Sequence, residues 1–229
     1  YYGKGNEWAT ESSIVSWAQS FSFKKDLSAE IIAWASAFGL GVCTPTGGTG
    51  ANIYTNTPIG ITTGLELPYF SWAEQQRATD SVVDFLSPGC VVEGFLVEVG
   101  YGPGRANSQI TVDVIGCGLE TAPSLLTFPA STAEKLLPSA SVAFTFNGID
   151  YVSKKRLQSL KWGWKNNILV NQGFYPGSGT DDGAAVAGRF MVGARTPILS
   201  FTALLVNESD EAAELLSGGT GTAVITQTY

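Results

Sequence analysis

Asn147-Gly148 lies between two runs of alternating polarity, AFTF before it and IDYV after it. A two-residue type I′ turn needs positive φ at both central positions, and Asn followed by Gly meets that need at low steric cost. The pattern commits residues 143 to 152 to a β-hairpin that builds or extends the main sheet. It also sets the expectation for the rest of the chain, which is strands joined by tight turns. Composition agrees: 27 of 229 residues are Gly, and Thr, Ser, Val and aromatic residues are abundant, a mixture that favours strands over long helices.

Other segments can be placed around that hairpin. Residues 12 to 25 alternate into Phe21 and Phe23, which reads as a strand entering a core. Asp26 or Ser28 then caps a helix from Leu27 to Phe38, in which Ile31, Ile32, Ala35 and Phe38 recur at helical spacing and Gly39 and Gly41 supply the stop. From Thr44 to Thr63, with GGTG at 47 to 50, apolar periodicity is low and a long exposed loop or hairpin is expected. Leu65 to Trp72 reads as a strand interrupted by Pro68, suited to an edge or a bulge. Cys90 to Val99 and Gln109 to Ile115 alternate well, joined through GYGPGRANS by a hairpin connection or slightly longer loop. A crossing marked by Pro123, Pro129 and Pro138 follows. Leu157 to Ile168 places Leu160, Trp162 and Trp164 on one strand face and Lys161 and Lys165 on the other, with Gly163 weakening the ladder. Gly173 to Gly188, containing Asp181 and Asp182, reads as a second long loop. Ile198 to Val206 is a strand, Ser209 caps a short helix through Leu216, and Ala223 to Thr228 is a closing strand.

The chemistry available is narrow. No histidine occurs, which removes the commonest general base and metal ligand and every Ser-His-Asp or Cys-His arrangement. Two carboxylates can serve a glycosidase, but Glu93 and Glu98 are an odd number of residues apart on one strand and should face opposite ways. Asp181 and Asp182 lack the ligand spacing of a calcium loop. GYGPG at 100 to 104 precedes a strand and not a helix, so it reads as a turn and not a phosphate loop. No catalytic, cofactor or metal residue is expected. The net charge of −7 argues against a general nucleic-acid binder. Lys154, Lys155, Arg156, Lys161 and Lys165 form one basic stretch, read as a solvated strand face or a salt-bridging subunit contact. Cys43, Cys90 and Cys117 are widely spaced and odd in number, and are read as buried thiols. No window approaches the roughly 20 apolar residues of a membrane span, nor is there a basic-then-apolar leader, so a soluble protein with no membrane span is expected.

The order of features between Leu27 and Glu120 resembles the tail tube (major tail) proteins of long-tailed bacteriophages. The carriers are DLSAEIIAWASAFGLG at 26 to 41, a polar loop, CVVEGFLVEVG at 90 to 100, SQITVDVIGCG at 108 to 118, and the strand, helix and strand at the C-terminus. The resemblance implies a mainly β, β-sandwich or barrel-like subunit with one flanking helix and a short C-terminal helix, residues 1 to 229 forming a single domain. It implies hexameric rings stacked into a virion tail tube, assembled in the host cytoplasm, contacting itself and other tail proteins and passing genomic DNA without specific binding. Thr121 to Gly183 exceeds a minimal tube subunit and is read as an elaborated hairpin or an outer subdomain. Ile53, Tyr54, Ile59 and Ile61, apolar residues in a mostly polar segment, are expected to contact an adjacent ring. The alternative is a carbohydrate-binding or adhesin-like β-sandwich, which the six tryptophans would serve if coplanar and exposed.

Overall fold

The computed structural model describes residues 16–17, 19–46, 53–58, 67–77, 82–101, 106–116, 120–121, 127, 133–153, 156–169, 174–176, 185–187, 190–204 and 221–228. Among these the chain is mainly β, with one α-helix. In order come β1 (Ser16–Trp17), β2 (Gln19–Asp26), α1 (Ala29–Leu40), β3 (Gly41–Thr46), β4 (Ile53–Pro58), β5 (Phe70–Arg77) and β6 (Val82–Gly100). They are followed by β7 (Gln109–Gly116), β8 (Glu120–Thr121), β9 (Val142–Phe146), β10 (Ile149–Asp150) and β11 (Leu157–Lys165). The last are β12 (Phe174–Pro176), β13 (Ala185–Ala187), β14 (Thr196–Ala203) and β15 (Ala223–Gln227).

β6 organises the molecule. Its 19 residues would span about 60 Å if straight, but its pairing with β5 shifts register between Phe70 and Trp72, opposite Pro88 and Gly89, an irregularity that bends a strand, and β6 serves two sets of partners. Before the bend it pairs with β5 and β8. After it, it lies between β7 and β11 in an antiparallel sheet of order β14-β11-β6-β7-β2. Gly89, at φ 61, takes the left-handed conformation at the bend. A second irregularity follows, where the pairing of β6 with β7 shifts between Val92 and Gly94 and leaves Glu93 as the extra residue of a bulge. The bulge resets the alternation, so Val92 and Phe95 both face the core, while Val91 turns to the opposite side to join Leu67, Ile115, Ile168, Phe190 and Val192 in a second cluster.

A bulge leaves backbone groups unpaired, and Asn166 meets them. Its N–H donates to the Glu93 carbonyl at 2.7 Å, and its Nδ2 donates to the carbonyls of Val92 (3.1 Å) and Gly39 (2.8 Å). Gly39 lies in the last turn of α1, where carbonyls have no intrahelical partner. Asn166 Oδ1 accepts from Trp164 Nε1 at 2.9 Å, and the Asn166 carbonyl accepts from Gly193 N–H at 3.1 Å. The side chain is fully buried. One residue thus joins bulge, helix end, β11 and the 190–193 segment.

α1 begins at Ser28, whose Oγ accepts from Ile31 N–H at 3.3 Å, and ends at Gly41, φ 95. A 12-residue helix is marginal alone; this one is held by packing on β6, where a Cβ added at Gly39 would press 3.3 Å from Phe95 and Val92. On the same side lies a smaller sheet of order β10-β9-β15. Phe144 of β9 contacts Phe201 of β14 at 4.9 Å, so the small sheet and α1 share one hydrophobic cluster with Val97, Val99, Val112 and Leu160. Gln227 of β15 closes this side by donating to Ser108 Oγ and to the carbonyls of Leu137 and Pro138.

The 147–148 turn is as expected, with Asn147 at φ 50 and Gly148 at φ 80 and Ile149 paired with Phe146. Its strands build the small sheet and do not extend the main one, because β9 finds its second partner in the C-terminal β15. Four further expectations are corrected or narrowed. The strand expected over Leu65 to Trp72 starts at Phe70, beyond Pro68, and continues through the polar run to Arg77 because it follows β6. The strand expected over Leu157 to Ile168 ends at Lys165, where Asn166 leaves the ladder to fill the bulge. The 173–188 segment holds two short strands, β12 and β13, paired with each other, and β13 also pairs with β1; Asp181 and Asp182 lie outside the described residues. The 44–63 segment contains a hairpin, β3 with β4, anchored on α1 by Asn56 Nδ2 donating to Ser36 Oγ at 2.8 Å. The helix expected from Ser209 to Leu216 lies outside the described residues, as do Pro123 and Pro129.

Replacing Asn166 with Ala should cost about 3 kcal/mol or more in denaturant unfolding, since it orphans buried carbonyls and the Trp164 indole N–H. Gly163→Ala should destabilise by roughly 1–3 kcal/mol, because its Cβ would collide with the Phe95 carbonyl across the β11–β6 pair. An unchanged unfolding midpoint in either variant would contradict the packing described.

Candidate assembly surface

The five-strand path of the main sheet has unlike faces. Direct cross-strand partners share a face, so the pairs Phe23 with Val112, Trp162 with Val97 and Trp162 with Leu199 define the core side. The opposite face carries Ser20, Ser22 and Lys24 of β2, Thr111 and Asp113 of β7, Glu98 of β6, Ser159, Lys161 and Lys165 of β11, and Ser200 and Thr202 of β14. Leu96 and Ile198, the partners of Gly163 on either side, interrupt this polar field, and at the Ser20 end the face gives way to Ile115 and Val91, which are buried in the second cluster. Among the described residues β2 pairs only with β7 and β14 only with β11, so both edges of the path present strand backbone. β14 is largely exposed along its length, including Leu199 at 41%.

Glu98 is the electrostatic centre of the polar face. Its Oε2 lies 2.7 Å from Lys24 Nζ and its Oε1 lies 2.5 Å from Lys161 Nζ. The hydrogen bonds from Lys161 and then Lys24 hold its carboxyl down at about 2, against an ordinary 4.5. Elsewhere Lys25 donates to Glu134 at 2.6 Å, and the Lys25 hydrogen bond lowers that carboxyl too.

Beneath β2, on the core side, aromatic rings meet. Phe21 and Phe23 lie 4.9 and 5.3 Å from Trp72, and Trp34 lies 5.1 Å edge-on to Phe70. The four tryptophans with described side chains, Trp34, Trp72, Trp162 and Trp164, all pack against the main core cluster.

The residues singled out from sequence fall as follows. Ile53 and Tyr54 lie on β4, paired with Thr46 and Pro45; Ile59 and Ile61 lie outside the described residues. Within the basic stretch, Arg156 is buried and Lys161 is paired with Glu98, while Lys154 and Lys155 lie outside the described residues. Of the cysteines, Cys90 is buried and Cys43 is exposed, because β3 is an outer hairpin strand; Cys117 is outside the described residues. Burial pushes the Cys90 thiol up, against the lowering hydrogen bond to Ser87. Glu93 sits at the bulge, where simple alternation does not apply. Sequence reasoning missed Asn166 and the pairing of Lys24 with Glu98. Alternation alone places Glu98 and Lys161 off the core face, but the pairing of β2 with β7 and of β7 with β6 is what brings Lys24 to a carboxylate 74 residues away.

No protein-family profile matches the sequence, and no curated protein is detectably similar to it. Among the described residues no helix is long and apolar enough to cross a membrane.

The Glu98 shift has a signed consequence. A carboxyl held below its unfolded value contributes stability that is present above about pH 4.5 and lost as pH falls toward about 2. Glu98→Gln should therefore lower stability at pH 7 by up to about 1 kcal/mol, a modest amount because both lysines are half exposed. The difference from the parent should vanish near pH 2. A constant difference between pH 7 and pH 2, followed by denaturant unfolding, would show that the ion pairs are not its source.

Proposed function

We propose that the chain is a structural subunit, without a catalytic centre, that self-assembles into stacked hexameric rings forming the tail tube of a long-tailed bacteriophage, through which DNA passes. One observation carries the reading. The main sheet is sealed on one side by helix and small sheet, polar on much of the other, and, among the described residues, open at both β2 and β14. Such edges invite strand addition, and a polar sheet face suits a water-filled lumen. In this reading the two sheets and α1 act as a β-sandwich-like unit, copies join side by side through their edges, and the β3–β4 hairpin, with Ile53 and Tyr54, reaches the next ring. Ile59 and Ile61 follow in the same segment. Other tail proteins would meet the tube at its ends, in a virion tail assembled in the host cytoplasm. The acidic chain, at −7, is suited to passing DNA without retaining it.

Sedimentation should show species far above 24.1 kDa, and negative-stain microscopy should show rings or tubes. Leu199→Lys places a charge on the β14 edge and should return the protein to a folded monomer. A parent that stays monomeric at high concentration, with no tubes after long incubation, would overturn the proposal.

A further inference from the structure

The polar face places its described cations unevenly. Lys24 and Lys161 come from strands on opposite sides of β6, yet both end on the two oxygens of one carboxylate, at 2.7 and 2.5 Å. The Glu98 side chain is only 17% exposed, whereas the lysines are 47% and 51% exposed. The carboxylate is thus better shielded from water than the two ammonium groups that meet it. Asp113 and Lys165 share this face, two strands apart through Gly94. Two adjacent ammonium groups over a polar strand surface form a ready contact for phosphate oxygens, and each such contact adds to polyanion affinity by releasing counterions. A carboxylate wedged between them competes with the phosphate for the same protons.

From this geometry we infer that Glu98 determines specificity against polyanions: by occupying Lys24 and Lys161 together, it keeps the polar face from binding nucleic-acid backbone. The inference rests on the tube reading for its biological setting, but the chemistry belongs to the subunit. Glu98 keeps a strand surface that displays lysines, as a water-exposed sheet does, from acting as a phosphate site. Its role is negative, and removing it should create an activity that the parent lacks.

The test is binding of a short fluorescent DNA duplex, followed by anisotropy between 50 and 200 mM salt, over which the Debye length falls from about 14 to about 7 Å. Glu98→Gln should bind more tightly than the parent, with a log–log salt dependence steeper by about two, one for each released lysine. Adding Lys24→Ala should remove about half of that increase, and adding Lys161→Ala as well should remove all of it. Glu98→Ala should behave like Glu98→Gln. No gain in either variant, or a gain that survives loss of both lysines, would overturn the inference. So would unfolding of both variants by circular dichroism, since Glu98 would then act through stability. Tubes that form normally while Glu98→Gln gains no affinity would sink this inference alone; a gain without any tubes would sink the tube reading alone.

Discussion

The fold depends on how the bulge in β6 is satisfied. A strand that changes partners along its length and carries an extra residue in mid-sheet exposes carbonyls that the ladder cannot use. Asn166 takes up the carbonyls of Val92 and Glu93 and, with the same amide, one from the end of α1. Without that residue the helix would lose its polar tie to the sheet and β11 would end beside unmet backbone groups. Because buried polar groups cost most when partly satisfied, the node specifies one relation of helix, bulge and β11. The apolar contacts of Phe95, Val92 and Gly39 then fill the space it defines.

The glycines of this region serve that same close approach. Gly94 would carry a Cβ 2.7 Å from the Trp164 carbonyl, and Gly163 would collide with Phe95 from the other strand. Gly163 looks like a weak point when β11 is read alone, yet in the sheet it lets β6 and β11 meet beside the bulge. The same residue on an isolated strand and in its partner's company carries opposite meanings.

Local signals were legible where the structure is local. The Asn147-Gly148 turn, the Ser28 and Gly41 boundaries of α1, and the β6–β7 hairpin depend on residues close in sequence, and each is visible in the chain. The first half of β6 carries no clear local signal, since a Pro-Gly dipeptide ordinarily marks a turn, whereas here the strand continues through Pro88 and Gly89 beside β5. The assignment of the 142–150 hairpin to the small sheet was hidden because β15, which pairs with it, is some eighty residues away. The Glu98 pair with Lys24 and the bonds of Asn166 to Val92 and Gly39 also join distant positions, 74 and more residues apart. Strand pairing chooses those partners, and no local pattern encodes that choice.

The five-strand path β14-β11-β6-β7-β2 alternates in direction at every step. An odd number of alternating strands leaves the two outer ones pointing the same way. When unlike edges of successive copies meet under rotation about one axis, their strands therefore run side by side in parallel, and every copy keeps the same heading. Whatever is built by that rule has a front and a back that differ chemically, so growth at its two ends need not be equal and cargo moving along it meets a directional surface. Parity of strand number, a property of one subunit, thereby sets the polarity of anything made from many.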